Sequence, residues 1–556
     1  MKKILSVALV LVMLLSVFSI TASAEAVVYS GYYDAEIDDL YYYLYEDGEY
    51  SEAYVVGYEL DTSNNFAPAG ALTIPEAVTY RGDTYTVTAI DVGAFYQSLF
   101  TSITLPSTIS YIADGAFMSS DYLAQVNIPD ACYFNYFGDM VFMGTPFEAE
   151  IYSKDETLFG QNVLFSYIGN AEEYVIPENV DLIAPNAFFM SGVKSVVINE
   201  NITEIPYCAF ASCRNLTSVT LSDSVEYISE GAFKDCTSLE TFTLTDNVTS
   251  LGVDCFANSG LKSIHLGQAA YSIAGAFRGC NSLETITIDE ENTALLTDGN
   301  AIYFRTTFIF DMFDSSYDLG YILAYYLPSK AQGTVTLIDE VSMIDVYAFY
   351  GCTGLKEVNA GSLMAIYTDA FANSGIEKIN ATSIDWVYDG AFKNCKNLTD
   401  IDLSTTDYIG IGAFENCTAL TDVKFKSSIT DIGAKAFANT GLTEVVIYGE
   451  DCYIEEGAFM NCENLKSVRL EEGVYYIGMN AFLNCPDLET IYLSKTIKSI
   501  EDNAFNGCDN VTFEVIKGTT AHKYIKNQTD YNFEVVGNYS FFQRIIDFFR
   551  SLFGLN

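Results

Sequence analysis

"AFMNCENLKSVRLEEGVYYIGMNAFLNC", Ala458 to Cys485, states one phrase twice. An Ala-Phe pair is followed, three residues after the Phe, by Cys; apolar residues come next at fixed offsets, and then Ala-Phe-x-x-Cys returns. The Phe of this phrase recurs at Phe95, Phe117, Phe188, Phe210, Phe233, Phe256, Phe277, Phe349, Phe371, Phe392, Phe414, Phe437, Phe459, Phe482 and Phe505, and apart from two jumps the successive differences are 21, 22 or 23 residues. A period of that size belongs to stacked coils, each with one strand and a return segment.

The unit "AFKDCTSLETFTLTDNVTSLG" shows how such a coil is made. Phe233, Leu239, Phe242, Leu244, Val248 and Leu251 point inward if the coil wraps one core, and Phe242 and Leu244 stand two apart, as one face of a strand requires. Segments like "ETFTL" then stack side by side as a parallel sheet, at about 4.8 Å per coil. No coil buries its apolar side alone, so the predicted fold class is a repeat solenoid of leucine-rich-repeat size, with one short parallel strand per 21–23-residue coil.

Nine of the thirteen cysteines (Cys213, Cys236, Cys280, Cys352, Cys395, Cys417, Cys462, Cys485 and Cys508) occupy the slot three residues after the repeat's Phe. Elsewhere that slot holds Ser120, Ser191, Ser259, Ser374 or Thr440. A slot that accepts Cys, Ser or Thr asks for a small side chain with a hydrogen bond to turn backbone, so the cysteines are expected to be reduced structural thiols. Thirteen is odd, and no C-x-x-C occurs.

The two jumps, Phe117 to Phe188 and Phe277 to Phe349, measure 71 and 72 residues, close to three periods. Each is expected to continue the solenoid while inserting a projecting hairpin. "LLTDGNAIYF", Leu295 to Phe304, has a D-G turn between alternating residues, and "SKDETLFGQNVLFSYIG" is its counterpart. Before the repeats, "YYYLYEDGEYSEAYVVGYEL" suggests two strands about an acidic Gly turn that cover the first coil; after them, "GTTAHKYIKNQTDYNFEVVG" reads as a short helix and a final strand. The start of the chain reads as an export signal, with Lys2 and Lys3, an apolar run from Ile4 to Ile20, and the small-residue site Ala22-Ser23-Ala24. The expected order is thus a signal peptide (1–24), an N-terminal β cap (25–88), the repeats (89–515, with insertions within about 130–175 and 290–335), a C-terminal cap (516–537) and an amphipathic tail (538–556).

Half of the 556 residues are hydrophobic, enough for a large core, and the formal net charge is −47. Such a surface repels phosphate backbones, which argues against a nucleic-acid partner. The acids are scattered along the repeats rather than gathered in a block, as on a solvated face.

The recurring A-F-x-x-C-x-x-L-x-x-V-x-L-x-x-x-V-x-x-I unit, entered through "TIPEAVTYRGDTYTVTAIDVGAF" and left through "GTTAHKYIKNQTDYNFEVV", resembles the BspA-like leucine-rich repeat proteins of bacteria over about residues 40 to 537. The resemblance implies a secreted or surface-attached solenoid without catalytic residues or cofactor, some of whose relatives bind host matrix proteins or other cells. It supplies no motif for binding residues. An L-P-x-T-G sorting signal is absent; "LPST" at Leu105 and "LPSK" at Leu327 are partial matches inside the repeats.

The only histidines are His265, in a repeat strand, and His522, in the terminal cap, and no nucleophile elbow is visible. Asp400 and Asp402, with Asp422 one coil later, would share the outer sheet face, where a calcium ion could bridge them; solvation beside Lys424 is the plainer reading. Outward strand positions define the candidate binding surface: Thr241 and Thr243, Thr285 and Thr287, then Asp400 and Asp402, Asp422 and Lys424, Arg469 and Tyr492. A shallow polar face of this kind suits extended extracellular proteins or cell-surface glycans better than a small-molecule pocket, and the solubility of an exposed sheet explains it nearly as well. Host matrix proteins are a partner that the resemblance implies.

The tail "FFQRIIDFFRSLFGLN" sets Phe541, Phe542, Ile545, Phe549, Leu552 and Phe553 on one apolar side, with Arg544, Asp547 and Arg550 opposite. It is expected to lie in a membrane interface, to meet a partner, or to fold back on the last coil. The leading functional expectation is an exported, non-enzymatic adhesive surface. Its rivals are a glycan- or peptide-processing hydrolase with a cryptic carboxylate site and a structural envelope component.

Overall fold

The computed structural model describes residues 33–46, 51–58, 69–154, 156–305, 320–528 and 531–538. The signal-peptide reading and the amphipathic tail from 539 onward lie outside the described residues. The chain divides after Leu261 into two compact units. Each is a solenoid of coils of about 22 residues with little helix.

The repeat's Phe side chains form one file through each core. From Phe349 to Phe505 seven successive ring pairs lie 4.9 to 5.6 Å apart and within 12° of parallel. In the first unit Phe95 and Phe117, and again Phe210 and Phe233, stack at 5.2 Å and 3°. The rings are fully buried, so each adds stacking contact to the area it removes from water.

The Cys slot is explained by the backbone of the preceding coil. Cys213 Sγ donates to the Phe188 carbonyl at 2.9 Å, Cys395 to Phe371 at 3.0 Å, Cys417 to Phe392 at 3.1 Å, Cys462 to Phe437 at 3.2 Å and Cys508 to Phe482 at 3.1 Å. Ser120 Oγ makes the same bond to Phe95, at 2.7 Å. Any small side chain with an O–H or S–H therefore serves, and Thr440 bonds instead to the Phe437 carbonyl of its own coil. None of the thirteen cysteines forms a disulfide. Burial pushes thiols such as Cys213, Cys352 and Cys395 up to about 12.

One residue before each such slot the backbone is left-handed, which favours Asn, Asp or Gly. From Asn373 to Asn484 this position is always Asn, with φ between 55° and 65°. Each Nδ2 donates to the Asn one coil back, in Asn394 to Asn373, Asn416 to Asn394, Asn439 to Asn416, Asn461 to Asn439 and Asn484 to Asn461, at 2.7 to 3.2 Å. One residue type thus meets the dihedral demand and also ties neighbouring coils.

The expected strand after the Leu forms in most coils but not after Leu398 or Leu420; Glu444–Ile447, Ser467–Leu470, Thr490–Leu493 and Thr512–Lys517 run parallel in register. A second short strand, before most of the Ala-Phe pairs, adds another parallel ladder. In the unit after Leu261 the ladder holding these second strands has eleven members, among them Ser362–Ile366, Ser383–Val387, Tyr408–Ile409, Ile429–Ile432, Gly449–Ile454 and Val474–Ile477. Glycine closes this strand because the coils touch there: a Cβ at Gly433 would lie 2.6 Å from the Gly410 carbonyl carbon.

The two inserts do form hairpins, Glu156–Phe159 with Val163–Tyr167, and Leu295–Thr297 with Ala301–Arg305, but they do not project. Val163–Tyr167 pairs parallel with Leu182–Ile183, and a third strand, Tyr321–Tyr326, joins Ala301–Arg305 to Val341–Ile344. Val163–Tyr167 is buried throughout, so it needs cover on both faces. The ring file also runs through the inserts. Phe142 stacks on Phe117 at 5.3 Å, with Thr145 in the slot three residues on, and Tyr326 stacks on Phe349 at 5.0 Å. Val141 and Tyr325, standing where the phrase has Ala, hide both coils from a search for the repeat.

At the start, Leu40–Glu46 pairs antiparallel with Ser51–Tyr58, which lies parallel to Asp83–Ile90. At the end, the helix Thr520–Asn527, capped by Thr519 accepting the His522 amide, precedes Asn532–Asn538, which pairs with Thr512–Lys517.

Cys417→Ser keeps a donor in the slot and should cost about 1 to 2 kcal/mol. Phe414→Ala opens a gap in the ring file and should cost about 3 to 5 kcal/mol, both read by urea unfolding. Thiol titration of the denatured, unreduced protein should count thirteen free thiols. In the native protein Cys208, half-buried where the other twelve are buried, should react first, and slowly, because burial raises its thiol to about 11.

Candidate binding surfaces

The outward strand positions carry side-chain ladders of their own. In the strands Gly333–Thr336, Leu355–Asn359 and Lys378–Asn380, Thr334 donates to Glu357 at 3.1 Å, Asn359 to Thr336 at 3.3 Å, and Asn380 to Glu357 at 2.5 Å and to Asn359 at 2.8 Å. Lys378 then pairs with Asp400 at 2.7 Å. This part of the face is polar, and its groups largely satisfy one another.

Past Lys378–Asn380 the ladder thins to two isolated bridges, Lys378 with Asp400 and Leu403 with Phe425, and resumes at Glu444–Ile447. At this break a shallow depression is lined by Asp422, Lys424, Phe425, Glu444, Val446 and Tyr448. Asp422, Lys424 and Glu444 are exposed and Tyr448 is 50 % accessible. A second recess opens over the start of the Asn ladder, lined by Thr353, Asn373, Asn394, Lys396 and Asn397 among others.

Beyond the break, Arg469 lies over the Tyr492 ring at 4.6 Å and donates to Glu471 at 2.8 and 3.0 Å, with Glu514 at 4.0 Å. The Glu471 hydrogen bond holds the guanidinium in its charged form. Arg469 and Tyr492 are thus engaged with each other, whereas Asp422 and Lys424 open onto the depression.

Thr241 and Thr243 are exposed on their strand in the first unit, as are Thr285 and Thr287 in the second. His265 Nδ1 lies 2.9 Å from Thr287 Oγ1, so its nearest partner is a hydroxyl in the next coil and not a carboxylate. The calcium reading of Asp400, Asp402 and Asp422 finds no cage. Among the described residues no group of three or more His, Cys, Asp or Glu side chains is arranged to hold a metal ion. Asp400 is committed to Lys378, and Asp402 accepts the Ser404 amide at 2.9 Å; the Ser404 hydroxyl, then its amide, then Lys424 hold the Asp402 carboxyl below the ordinary range. The Phe541, Phe542, Ile545, Phe549, Leu552 and Phe553 reading lies outside the described residues.

Sequence reading misses the break and Tyr448, since nothing in the repeat marks where pairing lapses. The Asn ladder, by contrast, is announced by Asn at the 21–23-residue period.

Comparison with known proteins follows the same periodicity. The BspA type leucine rich repeat region matches residues 88–217, 203–299, 322–440 and 386–512, which together exceed half of the chain. Among solved structures, a leucine-rich repeat protein from Eubacterium ventriosum is 18% identical, over 88% of this chain and 96% of that one, with a TM-score of 0.44. One from Bacteroides ovatus is 24% identical over 87% of this chain and 100% of that one, with a TM-score of 0.31. A leucine rich cell surface protein from Faecalibacterium prausnitzii is 20% identical over 89% and 97%, with a TM-score of 0.28. No curated protein matches the chain significantly.

Half-buried carboxyls give the stability a definite pH dependence. Burial raises Asp139, Asp345 and Asp431 to about 6 and Glu148 to about 7, with Glu455 adding to the effect at Asp431. Unfolded carboxyls titrate near about 4. Between those values the native chain binds more protons than the unfolded one, so stability falls as pH rises. Calorimetry in moderate salt should give a Tm at pH 5 above that at pH 8 by a few degrees; the reverse order would contradict these assignments.

Proposed function

Since the chain belongs to the BspA-type leucine-rich repeat family, we propose that it is an exported, non-catalytic scaffold that binds extracellular proteins through the outward face of its strands, in an adhesion-like role. Family and fold are those of binding scaffolds. Export is supported by the signal-like start of the sequence, and among the described residues no helix is long and apolar enough to cross a membrane.

The observation that carries this reading is the break in the strand ladder. Most polar groups on the face are spent on one another, but at the break Asp422, Lys424, Glu444 and Tyr448 surround a depression with both charges and an aromatic ring available. An aromatic anchor ringed by charge is the pattern by which a few residues supply most of an interface's affinity. A depression this shallow suits a protein segment lying across the coils better than an enclosed small molecule.

Lys424→Glu combined with Tyr448→Ala should lower capture of extracellular matrix proteins or bacterial surface proteins about tenfold or more, while the Tm stays within a few degrees. Capture unchanged by the double variant would remove this surface from the binding function. Turnover of a peptide or glycan library, abolished by a single carboxylate substitution, would replace the scaffold by an enzyme.

A further inference from the structure

The chain has a single tryptophan, Trp386. It stands on the second strand ladder of the unit after Leu261, away from the face just described, and is 41 % accessible. Strand register places it at one end of an outward row: Trp386 opposite Tyr408, Tyr408 opposite Asp431, Asp431 opposite Tyr453, and Tyr453 opposite Tyr476. Four strand steps make the row about 19 Å long. The coil does not need aromatics here. The positions just before and just after the row are Ala365 and Ser499, and the core is filled by the neighbouring residues Val387, Ile409, Ile432, Ile454 and Ile477.

The row is also strongly acidic. Trp386 follows Asp385 in the chain and precedes Asp389 by three residues. Burial, then Asp389 and Asp431, raises the Tyr408 phenol; burial, then Glu501, Glu455 and Glu456, raises that of Tyr476. The nearby cations stand outside the row and have partners of their own: Lys426 pairs with Asp407 at 2.5 Å, and Lys498 rests over Tyr475 at 5.7 Å. Exposed ring faces bounded by carboxylates suit a guanidinium, which lies flat on an aromatic ring while its N–H fork meets a carboxylate.

We propose that this row binds an extended arginine-rich segment of a partner protein, its guanidinium groups stacking on Trp386 and Tyr453 and pairing with Asp431. About six extended residues span the row, with alternate side chains facing it. The net charge of −47 adds a long-range attraction that a neutral glycan would not feel. This inference rests on the scaffold reading but uses a different face from the Asp422 to Tyr448 depression.

Because Trp386 is the only tryptophan, fluorescence excited at the red edge of the indole band, where the 41 tyrosines do not absorb, reports this row alone. Titration with a hexaarginine peptide should change that fluorescence saturably. Asp431→Asn and Tyr453→Ala should each weaken binding about fivefold or more, whereas Lys424→Glu, on the other face, should leave it within about twofold. Melting temperatures close to the parent's would show that the variants fold. Fluorescence unmoved by hexaarginine, binding indifferent to Asp431 and Tyr453, or a response to a neutral hexasaccharide instead would each overturn the inference. Loss of hexaarginine binding while partner capture still depends on Lys424 and Tyr448 would overturn it alone. Hexaarginine binding without any such capture would support it and count against the depression.

Discussion

Everything in this molecule hangs on the contact between one Phe ring and the next, together with the hydrogen bond made just behind it. The ring fills the width of a coil, so the coil spacing is set by how closely two phenyl groups can stack. The donor three residues later reaches back to the preceding Phe carbonyl and holds the turn at that same spacing. A thiol, with its longer bonds and weak acidity, makes this contact while packing as a small apolar group. Cys is therefore frequent in the slot without any redox role.

Once the rings and slots are in register, the rest of each coil follows at low cost. The left-handed turn residue falls at a constant place, and where it is Asn its amide continues the repeat as a ladder of hydrogen bonds. The two strand ladders arise because the chain leaves and re-enters the ring file at fixed heights, which lines up backbone groups on both sides. The glycines that end the second strand mark where neighbouring coils come closest. The inserts obey the same rule, since their strands are too apolar to stand in water and are drawn into the ladder.

Function in such an architecture depends on where regularity lapses or goes beyond need. Over much of the outer face the polar side chains bond to one another, leaving little to offer a partner. The break between Lys378–Asn380 and Glu444–Ile447 exposes groups that an unbroken ladder would have tied down. The row from Trp386 to Tyr476 is the opposite case, with aromatic side chains at positions the coil could fill with Ala or Ser. Both are departures from what stacking alone requires, and both lie within one coil series where spacing is uniform enough to match an extended partner.

The repeat period, the inward apolar set, the tolerance of the Cys slot and the order of caps and hairpins are all legible in the sequence, because each is local and recurs. The same periodicity announces the Asn ladder, which a reading for apolar spacing passes over because a turn residue carries no hydropathy signal. Phe142 is hidden by Val141 in place of Ala, and Tyr326 by Tyr325 and by being Tyr itself, although their rings serve the same file. What only the tertiary structure decided is which polar groups are already spent. Lys378 with Asp400 and Arg469 with Tyr492 look as available in sequence as Asp422 and Lys424 do, yet only the latter pair borders an open depression. That difference arises between coils some 22 residues apart, where pairing depends on three-dimensional register and lapses without any mark in the local pattern.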